Sequence, residues 1–213
     1  MSKTSTKPTK VVFLLDRSGS MSSVKEETIS GFNSYLDGLE EKDRIRVTAV
    51  QFDSEGIDKI CDGQKPKNAT RLTDKTYEPR SWTPLYDAIG KTIRETKAKQ
   101  GEEKVLFVIL TDGQENASTE FNQQSVKKLM KEREDDDKWT FAFIGMGPDG
   151  WTAAQTISAG LRSSSNVMKT AQTGAATRQA YRAMGQATTC YASSIGSDKQ
   201  VMTGFWDKKD DKK

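Results

Sequence analysis

The chain has 213 residues, 34% hydrophobic and 30% charged, with a formal net charge of +3. That length builds one domain with a full core, and so small a net charge does not by itself imply nucleic-acid binding. There is no histidine, and the two cysteines, Cys61 and Cys190, stand far apart. This excludes Ser-His-Asp and Cys-His catalysis, histidine-ligated zinc and a disulfide framework, and it fits a reducing compartment.

Residues 1–10 read as a polar, disordered leader with scattered lysines, and no signal-peptide apolar region follows them. The apolar run from Val11 is too short to span a bilayer. A soluble, cytoplasmic protein that meets no membrane is therefore expected. Val11, Val12, Phe13, Leu14 and Leu15 are continuously apolar, as a strand covered on both faces requires. The run stops at Asp16, and Ser18 and Ser20 follow at every second position. Chain leaving a strand in an extended path aims alternate side chains at one point. All three present oxygen, which suits hard divalent cations such as Mg²⁺. The same residues also read as an ordinary Ser/Gly turn capped by Asp16.

Ser23 and Glu26 have capping-box spacing and open a predicted helix whose apolar face is Val24, Ile29, Phe32, Leu36 and Leu39. A strand over about 44–52, the turn Asp53-Ser54-Glu55-Gly56 and a short strand with Ile57 and Ile60 predict a hairpin. Residues 62–82 are polar and mainly loop. Thr83 then fits an N-cap and Pro84 the first helical position, with Leu85, Ala88 or Ile89, Thr92 and Ile93 facing inward. Val105–Leu110 is the best central parallel strand, and it ends in Thr111-Asp112-Gly113. A helix over about 120–133 follows, with Phe121, Val126, Leu129 and Met130 inward. Asp135-Asp136-Asp137 is read as a solvated turn, because consecutive side chains point apart.

A strand over 139–144, a helix over 151–161 and a short strand near 166–169 come next. The last helix covers about 174–195, with Tyr181, Met184, Thr188, Tyr191 and Ile195 on one face. Its other positions are small, so it is expected to be loosely held. Residues 201–206 are expected to dock on the body, and the terminal DKKDDKK to be tail. Strands alternate with helices throughout, which predicts an α/β, doubly wound, Rossmann-like sheet. It should be mostly parallel, with one antiparallel edge strand and helices on both faces. The expected division is a leader over 1–10, one domain over 11–196, and a C-terminal segment with its charged tail over 197–213.

Ligands of doubly wound sheets bind in the crevice at the carboxyl ends of the strands. Three oxygen-rich points fall at that edge: Asp16-Arg17-Ser18-Gly19-Ser20, Thr111-Asp112-Gly113, and Thr83. Two carboxylates and three hydroxyls would converge there, with no nitrogen or sulfur ligand among them. The order Asp-x-Ser-x-Ser, then Thr-Pro-Leu, then an apolar strand ending Thr-Asp-Gly resembles the von Willebrand factor type A domain family. The resemblance covers about residues 11–195 in element order. It implies a metal-ion-dependent adhesion site: Ser18, Ser20 and Thr83 as hydroxyl ligands, Asp16 and Asp112 acting directly or through water. It further implies Mg²⁺, with Mn²⁺ or Ca²⁺ also accepted, and a partner protein whose Asp or Glu completes the metal's shell. The implied role is a binding scaffold or adaptor, not an enzyme. One departure is that Ser81-Trp82 stand where the family often has small residues or glycine. Arg17, Trp82, Gln114, Glu115 and Asn116 are expected at the rim. Family members are often regulated by sliding of the C-terminal helix.

A Mg²⁺-dependent phosphotransferase of haloacid-dehalogenase type, with Asp16 as nucleophile, is the alternative. Its resemblance is weaker, since Ser18 stands where that family has a second acid. Gly145-Met146-Gly147-Pro148-Asp149-Gly150 has dinucleotide-loop spacing, but no acidic residue lies between Gly150 and Asp198 to hold a ribose. A tight strand-to-helix turn is the better account. Arg162, Lys169, Arg178 and Arg182 read as solvated positions or a face for an acidic partner, and nucleic acid is not expected.

Overall fold

The computed structural model describes residues 8–39, 43–194 and 204–206. Six strands make one sheet: β1 (Thr9–Asp16), β2 (Ile45–Asp53), β3 (Gly56–Gln64), β4 (Lys104–Thr111), β5 (Trp139–Met146) and β6 (Val167–Thr170). Their order is β3-β2-β1-β4-β5-β6. All neighbours are parallel except β2 and β3, which form the predicted antiparallel edge. Asp53 makes the hairpin turn by accepting from the Glu55 and Gly56 backbone N–H groups at 2.8 and 3.1 Å. The chain reverses its direction of winding between β1 and β4. Those two strands are buried along their whole length, which explains their unbroken apolar sequences.

Helices cover both faces. α1 (Lys25–Asp37) and α5 (Gly174–Ser193) lie on one, where Phe13, Phe32, Tyr35 and Tyr181 share a core. α2 (Leu85–Ala98), α3 (Gln123–Asp135) and α4 (Gly147–Ser158) lie on the other, over Leu14, Phe107 and Phe141. Alternate residues of β1 feed the two cores, as strand geometry requires. Among the described residues no helix is long and apolar enough to cross a membrane.

Several local expectations are corrected. β1 begins at Thr9 and so takes in the end of the predicted leader. The capping box at Ser23 and Glu26 does not form: a 3-10 turn occupies Gly19–Val24, and α1 follows it without a side-chain cap. The turn wins because Ser22 Oγ donates to the Gly19 carbonyl at 2.7 Å. Thr83 does not cap α2 either; Pro84 holds the cap position, and the Tyr86 and Asp87 N–H groups of the first turn donate instead to Glu115 and Ser118 at 2.8 and 3.0 Å. The α4 helix starts at Gly147, inside the glycine motif. A Cβ on Gly145 would lie 2.5 Å from the Gly150 carbonyl oxygen, and one on Gly150 would lie 2.4 Å from the Thr111 carbonyl oxygen. The glycines thus let strand and helix touch. Asp136 and Asp137 pair with Arg133 and Arg162, in keeping with a solvated turn.

The helix α5 is also better held than expected. The Tyr181 ring stacks on Phe13 with centroids 6.0 Å apart, and Met184 and Tyr191 are buried with it. Phe205 docks as predicted, with its ring centroid 6.3 Å from that of Tyr191. Most of the predicted leader, Ile195, residues 201–203 and the tail lie outside the described residues.

Candidate metal centre

The carboxyl ends of β1 and β4 meet at the point where the winding reverses. Asp16 ends β1 fully buried. Its Oδ1 accepts from the Ser18 backbone N–H at 2.7 Å, and its Oδ2 accepts from Thr111 Oγ1, at the end of β4, at 2.6 Å. Each oxygen keeps acceptor capacity beyond these bonds. Behind it, the buried Tyr77 hydroxyl donates to the Asp16 carbonyl at 2.7 Å. Burial pushes the Asp16 carboxyl up to about 7; the Thr111 and Ser18 hydrogen bonds act against this, and the charge of Asp112 adds to it. Burial raises Asp112 as well, opposed by the Ser20 hydroxyl.

Ser18 is extended, and its carbonyl accepts from Met21 N–H at 3.0 Å to begin the 3-10 turn. The hydroxyls of Ser18 and Ser20 lie 3.2 Å apart, and Ser20 Oγ donates to Asp112 Oδ1 at 2.7 Å. Thr83 reaches the same place from the loop before α2. Its backbone is clamped from both sides by Asn116, which accepts from Thr83 N–H at 2.8 Å and donates to the Thr83 carbonyl at 3.2 Å. A Cβ on Gly113 would come within 3.1 Å of Thr83 Oγ1 and 3.5 Å of Ser20 Oγ. Gly113 therefore leaves space beside two hydroxyls. All five predicted residues, Asp16, Ser18, Ser20, Thr83 and Asp112, come together from three separate segments.

The donor set fits a hard divalent cation. It holds two carboxylates and three neutral hydroxyls, all oxygen, beside a position that a methyl group would fill. Positive charge set there would favour the ionised forms of both carboxylates, which burial alone disfavours.

The rim differs from expectation. Arg17 turns away, pairing with Asp53 at 2.7 Å and Asp58 at 2.8 Å. Glu115 ties its own loop to the start of α2, accepting from the backbone N–H groups of Tyr86, Ala117 and Ser118 at 2.6–2.9 Å. Asn116 orients Thr83 and not a carboxylate, a task that falls to Thr111. Gln114 and Trp82 remain exposed. Sequence reasoning missed Gln172, in the loop between β6 and α5. Its side-chain Nε2 donates to Asp112 Oδ2 at 2.5 Å and to the Ser20 carbonyl at 3.0 Å. The only signal was its place after a strand, just ahead of the last helix.

The phosphotransferase alternative finds no support. The haloacid-dehalogenase reading needs a second acid two residues after Asp16, and Ser18 stands there with its hydroxyl turned to Ser20 at 3.2 Å. Among the described residues no group of three or more acidic or cysteine side chains is arranged to hold a metal, so any cation here must rest largely on hydroxyls. Three of the four suspected basic residues are engaged: Arg162 with Asp137, Arg178 with Glu27, and Lys169 over the Trp151 ring.

This sheet order, with an oxygen-lined edge between its two central strands, defines a class of domain, and comparison with known proteins gives its family. The profile of the von Willebrand factor type A domain matches residues 10–183, and the chain belongs to that family. No curated protein matches the chain. Among solved structures, the vWF domain of the type V pili tip protein Mfa5 from Porphyromonas gingivalis superposes with a TM-score of 0.70 at 11% identity, covering 89% of this chain and 98% of that one. The pilus adhesin SpaC from Lactobacillus rhamnosus GG gives 0.68 at 15% identity, covering 84% and 30%. A von Willebrand factor type A protein from Catenulispora acidiphila gives 0.64 at 14% identity, covering 86% and 43%. At such identities the likeness is one of fold.

Proposed function

We propose that this domain is a metal-dependent protein-binding module. Asp16, Ser18, Ser20, Thr83 and Asp112 hold a divalent cation, Mg²⁺ before Mn²⁺ or Ca²⁺. The observation that carries the reading is the continuous polar chain from Ser18 Oγ through Ser20 Oγ to Asp112 Oδ1, with Thr83 Oγ1 across Gly113. When bound, the cation supplies Lewis acidity toward an incoming carboxylate. Neutral hydroxyls do not quench its charge, and Mg²⁺ commonly keeps part of its six-oxygen shell for water or an outside ligand. A glutamate or aspartate of a partner protein takes such a position.

The chain's own residues orient and exclude. Thr111 fixes Asp16, Asn116 fixes Thr83, and the buried Tyr77 holds the end of β1. The role is that of a scaffold or adaptor, set in the cytoplasm by the compositional argument. The family is generally one of interaction modules, and two of the similar structures are titled as a pilus tip protein and a pilus adhesin. The test is capture of partners in Mg²⁺, with an EDTA control and an Asp16→Ala/Ser18→Ala variant. Partners should be lost in both. A partner retained in EDTA and by the variant would overturn the metal bridge.

A further inference from the structure

Trp82 is 67% exposed, the one large hydrophobic side chain so placed among the described residues. An indole left in water next to a binding site forgoes burial that the core would supply. Its mount is nevertheless firm. The Trp82 N–H donates to Ser54 Oγ at 3.2 Å, and its carbonyl accepts from the Ser54 N–H at 3.1 Å. Ser81, just before it, has φ +57°, a left-handed conformation that serine adopts only when held. It is held: the Ser81 carbonyl accepts from Gly19 N–H at 3.1 Å, and its hydroxyl donates to Glu55 at 2.8 Å. One residue earlier, Arg80 N–H donates to the Arg17 carbonyl at 2.9 Å. Three successive residues are thus stitched to the loop after β1 and to the β2–β3 turn. The next residue is Thr83, of the hydroxyl cluster.

We propose that Trp82 is a second anchor for the partner. The partner segment is an extended peptide in which the metal-seeking Asp or Glu is flanked, within about two positions, by an apolar side chain that packs on the indole. This rests on the metal-bridged reading above. The Gly19–Ser81 bond sets residue 82 beside the loop that carries Ser18 and Ser20, and adjacent Cα atoms of a bound peptide are about 3.8 Å apart, so an acid that reaches this cluster brings its sequence neighbours close to residue 82. With the backbone of residue 82 already held, the loop needs little further ordering on binding, and burial of the indole turns into affinity. The bound cation works against a basic flanking residue. An apolar one meets no such penalty.

The test is selection of a displayed library of random linear peptides on the wild-type domain, on Trp82→Ala and on Asp16→Ala/Ser18→Ala, in Mg²⁺. Consensus peptides are then resynthesised and titrated by fluorescence polarisation. The wild type should enrich an acid with an apolar residue within about two positions. Trp82→Ala should keep the acid, lose the apolar preference and bind the consensus peptide on the order of tenfold more weakly, with Trp82→Phe recovering part of the loss. Trp82 has little to do with the core, and circular dichroism of the variant should match the wild type. An acid enriched without an apolar neighbour, or a Trp82→Ala variant that binds like the wild type, would overturn the second anchor and leave the metal bridge standing. Enrichment without any acid, indifferent to EDTA, would overturn the metal bridge and this proposal with it.

Discussion

The Gln172 amide donates to Asp112 Oδ2 at 2.5 Å while also reaching the Ser20 carbonyl at 3.0 Å and the Ser23 hydroxyl at 3.2 Å. One nitrogen shared among three acceptors fastens the loop ahead of α5 to the oxygen cluster. It also occupies a carboxylate oxygen that a cation would draw on. Replacing Gln172 with Ala removes that competitor. A hydrogen bond to a charged group is worth about 1.5–3 kcal/mol, part of which the exposed loop regains from water. The variant should therefore bind Mn²⁺ or Mg²⁺ roughly fivefold more tightly and melt slightly lower without metal. Titration calorimetry and thermal unfolding read the two effects. Unchanged cation affinity would show that Gln172 does not guard Asp112.

Gly150 links the glycine motif to the site. Its missing side chain lets α4 start against the end of β4: a Cβ there would sit 2.4 Å from the Thr111 carbonyl oxygen and 2.8 Å from Asp112 Cα. Both neighbours are backbone and cannot rotate away. Gly150→Ala should cost about 3 kcal/mol or more in chemical denaturation and weaken cation binding, because Asp112 must move. Gly38→Ala is the control, since its Cβ would meet nothing closer than 3.5 Å and should leave both quantities nearly unchanged.

How much of this was legible in the sequence depended on distance along the chain. The apolar runs of β1, β4 and β5 gave themselves away because helices cover both faces of each. The carboxylates and hydroxyls were legible because they sit where those runs stop. Gln172 was not, since it lies 60 residues from Asp112 and 152 from Ser20, and only a parallel β6 at the far edge brings it back. The firm seating of α5 was hidden for a related reason. Its anchor, Tyr181, fits because α1 has a glycine opposite, where a Cβ on Gly31 would lie 2.3 Å from the ring. Nothing within α5 reveals that space. The failed capping box at Ser23 was a contest between two local patterns, decided by the serine hydroxyl bonded back to Gly19.

Arg17 and Asp53 form an ion pair at 2.7 Å whose side chains are only 7% and 0% exposed. Arg80 adds a second bond to the same Asp53 oxygen at 3.0 Å. This pair ties the loop after β1 to the hairpin, and through Arg80 it steadies the residues leading to Thr83. Breaking a buried pair from one side costs about 3–5 kcal/mol, because the other charge stays buried. Arg17 keeps Asp58 at 2.8 Å, a half-exposed partner, so Asp53→Ala should fall near the lower end. Urea denaturation measures the loss, and cation titration of the folded fraction should show weaker binding as the Thr83 loop loosens. A variant as stable as the wild type would mean that Asp58 alone satisfies Arg17.

Asp87 offers a pH-dependent test away from the cation cluster. It lies in the first turn of α2, and its carboxylate accepts from three successive backbone N–H groups of the opposite loop: Thr119 at 3.1 Å, Glu120 at 3.0 Å and Phe121 at 2.8 Å. Burial works to raise its pKa, but these three donors together outweigh it and hold the carboxyl below its usual range. A carboxylate depressed in the fold stabilises it fully above the unfolded value of about 4, and that contribution fades as the pH falls through the lower folded value. Asp87→Asn sets an amide against N–H donors and leaves at least one without a partner. It should destabilise the domain by about 1–3 kcal/mol at neutral pH. The difference between wild type and variant should shrink below pH of about 4, since the wild type alone loses this contribution there. Urea denaturation of both proteins across that range checks the sign. A gap that stays constant down to the acid limit would show that the three hydrogen bonds do not depend on the charge.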